Sequence, residues 1–130
     1  MLMFGHRFIP SQRFYHVDNI DAIEHTPPNT TLFLTFSEDN LDIITHFQEN
    51  QLSFVLEVKN LTELIYAENL GAHYIVVDEH LSITAQKTAE NYLFDAKILV
   101  RISNESEIEA AALSGVDGVV FPEAIIKITG

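Results

Sequence analysis

The sequence predicts a single α/β domain, residues 1–130, built round a mainly parallel sheet of about six strands. Three observations predict it. Short β-branched, apolar runs alternate with longer segments of helical period. The runs are apolar almost throughout, as strands covered on both faces must be. A strand-to-helix phrase also recurs at an offset of 44: EVKNLTEL at 57–64 is echoed by RISNESEI at 101–108.

The elements follow in order. Residues 1–13 carry Met1, Leu2, Met3, Phe4, Phe8 and Ile9 around Gly5-His6-Arg7, and read as an apolar N-terminal arm ahead of the βα repeats of 14–130. Phe14–Val17 fits a strand and Asn19–His25 a short helix, which Thr26-Pro27-Pro28-Asn29 stops because proline cannot continue it. Strands are then expected at 31–36, 53–58, 74–78, 97–102 and 118–121. Between them, apolar residues spaced by three and four lie on one helical face. These are Leu41, Ile43, Ile44 and Phe47, then Leu61, Leu64, Ile65 and Ala67, then Ala85, Ala89, Tyr92 and Leu93, then Ile108, Ala111 and Ala112. Pro122 opens a short last helix carrying Ile125, Ile126 and Ile128.

The repeated phrase has a physical meaning. Asn19, Asn60 and Asn104 each stand where a strand gives way to a helix, and Asn is among the best helix N-caps. Glu63 and Glu107, three residues on, point to a capping-box arrangement. Gly71 and Gly115, also 44 apart, suit the left-handed residue that ends a helix. Six βα units are too few for a closed eight-stranded barrel. The sheet is expected to be open and doubly wound, or else half-barrel-like.

Residues 54–78, FVLEVKNLTELIYAENLGAHYIVVD, and 98–121, ILVRISNESEIEAAALSGVDGVVF, resemble the quarter-barrel repeats of phosphate-binding TIM barrels, such as those of tryptophan and histidine biosynthesis. The resemblance implies a ligand site at the C-terminal ends of the strands. The phosphate-binding glycines of such barrels are absent, since SED, KNL, DEH and SNE follow the strands here.

Composition narrows the function. The net charge of −12 supplies no basic footprint for nucleic acid or an anionic membrane. With no cysteine there is no disulfide and no thiolate, which fits a cytoplasmic protein. The N-terminal apolar run is too short for a signal-peptide core, and no stretch is long enough for a membrane span. There is no G-x-G-x-x-G, Walker loop or H-E-x-x-H, so no cofactor and no metal are expected.

The residue just before the aliphatic position of each unit (Val17, Val58 and Ile102) differs: His16, Glu57 and Arg101. Charges that interrupt apolar strands are costly unless paired or facing a wet crevice. One reading is a structural Glu57–Arg101 ion pair beside His16. The other is a site in which Arg101 holds a small anion, phosphate or carboxylate, while His16 or Glu57 exchanges a proton. Asp78 and His80 follow another strand and complete the ligand-binding candidates. Two functions are therefore carried forward. The first is a non-catalytic binding or assembly module, a homodimer through the N-terminal arm and C-terminal segment. The second is a small-ligand enzyme or sensor that binds an anionic metabolite at the strand ends.

Overall fold

A computed structural model describes residues 1–128 of the chain. It contains eight strands: β1 (Leu2–Phe4), β2 (Phe14–His16), β3 (Thr31–Thr35), β4 (Ser53–Glu57), β5 (Tyr74–Val77), β6 (Lys97–Arg101), β7 (Gly118–Val120) and β8 (Ile125–Lys127). Four α-helices connect them: α1 (Leu41–Glu49), α2 (Leu61–Leu70), α3 (Glu79–Asn91) and α4 (Ile108–Ser114). The sheet order is β1-β7-β6-β5-β4-β3-β2-β8, and every pairing is parallel.

Two strands more than expected come from the chain ends. Leu2–Phe4, within the segment read as an arm, pairs with β7. Gly118 makes room for it, since a Cβ there would fall 2.6 Å from the Leu2 Cβ and 2.9 Å from a Leu99 methyl. The expected last helix is only a 3-10 turn, Pro122–Ala124, after which β8 pairs with β2. Helix Asn19–His25 is likewise a 3-10 turn, Asp21–His25. Both elements are short, and short helices gain too few hydrogen bonds to outweigh a ladder or a turn.

The sheet is curled into a half-barrel and not doubly wound, because the helices cover one face only. Outward side chains such as Leu32, Leu34, Phe54, Leu56, Ile75 and Ile98 bury against the helical residues Ile44, Phe47, Leu64, Ala67 and Ala85. Val100, Val119 and Phe121 do the same against Ala111. The inward positions make a core of their own, with Phe4, Phe14, Phe33, Val55, Val76, Leu99, Val120 and Ile125 contributed by the eight strands. The Phe4 and Phe14 rings lie 4.9 Å apart although their strands stand near opposite ends of the sheet order, and Tyr74 of β5 packs on both. Among the described residues no ladder joins β1 to β8.

The helix signals hold where the physics is local. The Asn60 side chain accepts from the Glu63 amide at 2.9 Å, and Asn19 from the Ala22 amide at 2.8 Å. The Glu107 carboxylate accepts from the amides of Ser103 and Asn104. Gly71 and Gly115 both adopt the left-handed conformation at helix ends. Tyr92 and Leu93, read as part of a helical stripe, fall beyond α3 and are largely exposed. No described helix is long and apolar enough to cross a membrane.

Candidate site at the strand C-terminal ends

Strand alternation decides which side chains meet at the C-terminal mouth of the half-barrel. Phe33, Val55, Leu99 and Phe14 face inward, so the residues two further on face inward as well, one layer higher: Thr35, Glu57, Arg101 and His16. By the same parity Lys127 follows Ile125 on β8. A polar layer therefore caps an apolar one.

The expected trio lies in this layer. Arg101 Nη1 donates to Glu57 Oε2 at 2.7 Å, across the intervening strand β5. The Arg101 guanidinium carbon lies 5.8 Å from the centre of the Phe33 ring, and His16 packs on the same ring edge-on at 5.1 Å. The pair is not sealed, since the Arg101 side chain keeps 41% of its exposure and the Glu57 side chain 24%. A pair this exposed contributes about 0–1 kcal/mol to stability. Burial holds the His16 imidazole below its ordinary pKa. The Lys127 charge acts in the same direction, as does Arg101, while Asp18 opposes them. Asp18 also pairs with Lys127 at 3.4 Å.

Asp78 and His80 do not join this layer. The Asp78 carboxylate accepts from the Leu81 amide at 3.0 Å and caps α3. His80 lies exposed in the first turn of that helix. No metal-binding cluster of His, Asp and Glu occurs among the described residues.

No protein-family model matches the chain, and no curated protein matches it.

A second feature escaped the sequence reading. The connection from β1 to β2 folds over a cleft of about 800 Å³ that reaches Ser103, Glu105, Phe121 and Glu123. Glu105 anchors that connection. Its Oε2 accepts from His6 Nε2 at 3.0 Å and from Arg7 Nε at 3.3 Å, and its Oε1 accepts from Arg7 Nη2 at 3.2 Å. His6 Nδ1 accepts from the Phe8 amide at 3.1 Å, which leaves the ring proton on Nε2 to face the carboxylate. The Arg7 hydrogen bond holds Glu105 below the usual carboxylate range. The loop closes on itself through the Gly5 amide and Ser11 Oγ at 3.0 Å. Gly5 has φ +84°, and a Cβ there would sit 2.8 Å from the Ala124 nitrogen, so a side chain is excluded on both counts. The only sequence signal was Gly5-His6-Arg7 itself, polar residues set in an otherwise apolar segment.

Proposed function

We propose that this protein is a non-catalytic binding module for a small anion, a phosphate or a carboxylate, held at the mouth of the half-barrel by Arg101. The observation that carries the reading is the open face of Arg101. Only one of its nitrogens is bonded to Glu57, and the side chain keeps 41% of its exposure beside Phe33. A guanidinium presents a fork of donors that matches carboxylate and phosphate oxygens. Lys127 shares its layer as a second cation, while Glu57 and Asp18 each offset one of the two charges and burial favours the neutral form of His16. Glu57 orients the guanidinium and opposes a bound anion by its own charge. The assignment belongs with a cytoplasmic setting, in keeping with a chain that has no cysteine.

The test is a thermal-shift and calorimetric titration with inorganic phosphate and with acetate, at constant ionic strength. Binding to the folded state alone raises stability by mass action, about 2.7 kcal/mol at a hundredfold excess over Kd. Arg101→Ala is expected to weaken binding at least about tenfold, the loss of about 1.4 kcal/mol. Glu57→Gln is expected to tighten it, by removing the competing carboxylate. An anion response that is unchanged in Arg101→Ala rejects the site.

Assembly is the second reading, and one observation favours it. β1 and β8 are the two edge strands, they come from the chain ends, and no ladder joins them among the described residues. Unpaired edges are where sheets recruit other chains. Light scattering on the full chain decides between a homodimer and a 14.7 kDa monomer. A monomeric mass at high protein concentration removes this reading.

A further inference from the structure

We propose that the cleft beneath the β1–β2 connection binds a zwitterionic α-amino acid with an apolar side chain. Its volume of about 800 Å³ suits a small molecule. Four charged side chains line it: Arg7, Arg13, Glu105 and Glu123. Arg7 and Glu105 are spent on one another. Arg13 and Glu123 have no ion-pair partner among the described residues, and they are not paired with each other.

The strand register sets their backbones side by side, and both side chains line the cleft. Phe14 of β2 lies opposite Ile125 of β8, so Arg13 and Glu123 enter the two paired strands within two residues of the same rung. Close packing of Gly5 on Ala124 holds the loop against the Glu123 segment. A lone anion drawn to Arg13 meets Glu123, and a lone cation drawn to Glu123 meets Arg13. A ligand with a carboxylate and an ammonium on one carbon answers both. The remaining wall is mixed: Ser11, Ser103 and Asn104 are polar, while Phe8, Ile9 and Phe121 form an apolar part, with Phe8 and Ile9 67% and 45% exposed. The apolar part favours an aliphatic or aromatic side chain. His6 is bonded at both ring nitrogens and stands as part of the wall. No residue of this cleft belongs to the Arg101 layer, and the two sites stand or fall separately.

The experiment is a thermal-shift and calorimetric titration of the full chain with L-leucine and L-phenylalanine, with N-acetyl-L-leucine and L-leucinamide as controls. At about 10 mM, the free amino acids are expected to raise Tm by about 2 °C or more. The two capped compounds, each lacking one charge, are expected to bind at least about tenfold more weakly. Arg13→Ala and Glu123→Gln, both surface changes, are each expected to weaken L-leucine binding to a similar degree. The titrations are repeated in Arg101→Ala, which removes carboxylate binding at the mouth, and the free amino acids are expected to keep their advantage over the capped compounds there. The proposal is overturned if neither free amino acid binds, if a capped compound binds as tightly, or if both cleft variants bind like the wild type.

Discussion

At the scale of single residues, four helices end in the same way with different amino acids. Gln51, Gly71, Leu93 and Gly115 occupy the left-handed position after α1, α2, α3 and α4, with φ between 53° and 92°. Glycine takes that conformation without penalty, whereas a residue with a Cβ meets the following carbonyl oxygen, at about 1–2 kcal/mol. Leu93 carries this cost and gains little burial in return, being 85% exposed. Leu93→Gly is therefore expected to stabilise the fold. Glycine's greater entropy in the unfolded chain offsets part of the gain, leaving about 0.5–1 kcal/mol. Urea denaturation measures it, and a midpoint that falls would contradict the assignment of strain to this residue. The spacing of Gly71 and Gly115 made their roles legible in the sequence. The equivalence of Leu93 was not legible, because nothing in leucine announces a positive φ.

At the scale of elements, the offset of 44 proves to be an arrangement of hydrogen bonds as well as of letters. The Lys59 amide donates to Glu63, as Ser103 does to Glu107. The Phe54 amide donates to His73 Nδ1 at 3.4 Å, as Ile98 does to Asp117 Oδ2 at 2.8 Å. Glu57 and Arg101 hold equivalent places and pair with each other. Asp117 does the most in this set, since its other oxygen accepts from Gln86 of α3, and Gln86 accepts in turn from the Asp117 amide. One carboxylate thus ties α3 to the start of β6 and β7. Asp117→Ala strands the buried Ile98 amide and the buried Gln86 amide group, each costly without a partner. A loss of about 2–3 kcal/mol in chemical denaturation is expected, and a loss below about 0.5 kcal/mol, the range of ordinary surface changes, would show that the clamp is not structural. The βα units were legible because caps, stripes and apolar runs are set by neighbours in sequence. β1 and β8 were not, because strands of three residues carry no periodicity and exist only through distant partners. The same divide runs through the sites. Glu57 and Arg101 stand out as charges in apolar strands, whereas the His6–Glu105 contact joins residues 99 positions apart.

At the scale of the whole molecule, the curled sheet sorts polarity by height. Its inner face is apolar through the middle layer and polar at the C-terminal mouth, so the ionisable groups that folding perturbs gather at that end. This fixes how stability responds to acid. His16 has a folded pKa depressed chiefly by burial, so the unfolded chain binds its proton first. The stability linked to His16 is whole above the unfolded value of about 6.5 and is lost as pH falls from there through the folded pKa. Glu107, held low by the Ser103 and Asn104 amides, and Glu105, held low by Arg7, behave likewise in a lower window. Their contribution is whole above about 4.3 and disappears as pH falls through their folded values. Acidification is thus expected to lower Tm in two stages, one beginning near pH 6.5 and one below about 4.3. Protonation also relieves the repulsion of a chain with net charge −12, which opposes both stages and shrinks them without moving their windows. His16→Gln separates the terms, because glutamine keeps a polar side chain at the mouth and does not titrate. The variant is expected to lose the upper stage and keep the lower one. If wild type and His16→Gln show the same slope of Tm between pH 6.5 and 5, the upper stage belongs to another group, and the burial of His16 beside Lys127 and Arg101 does not govern it.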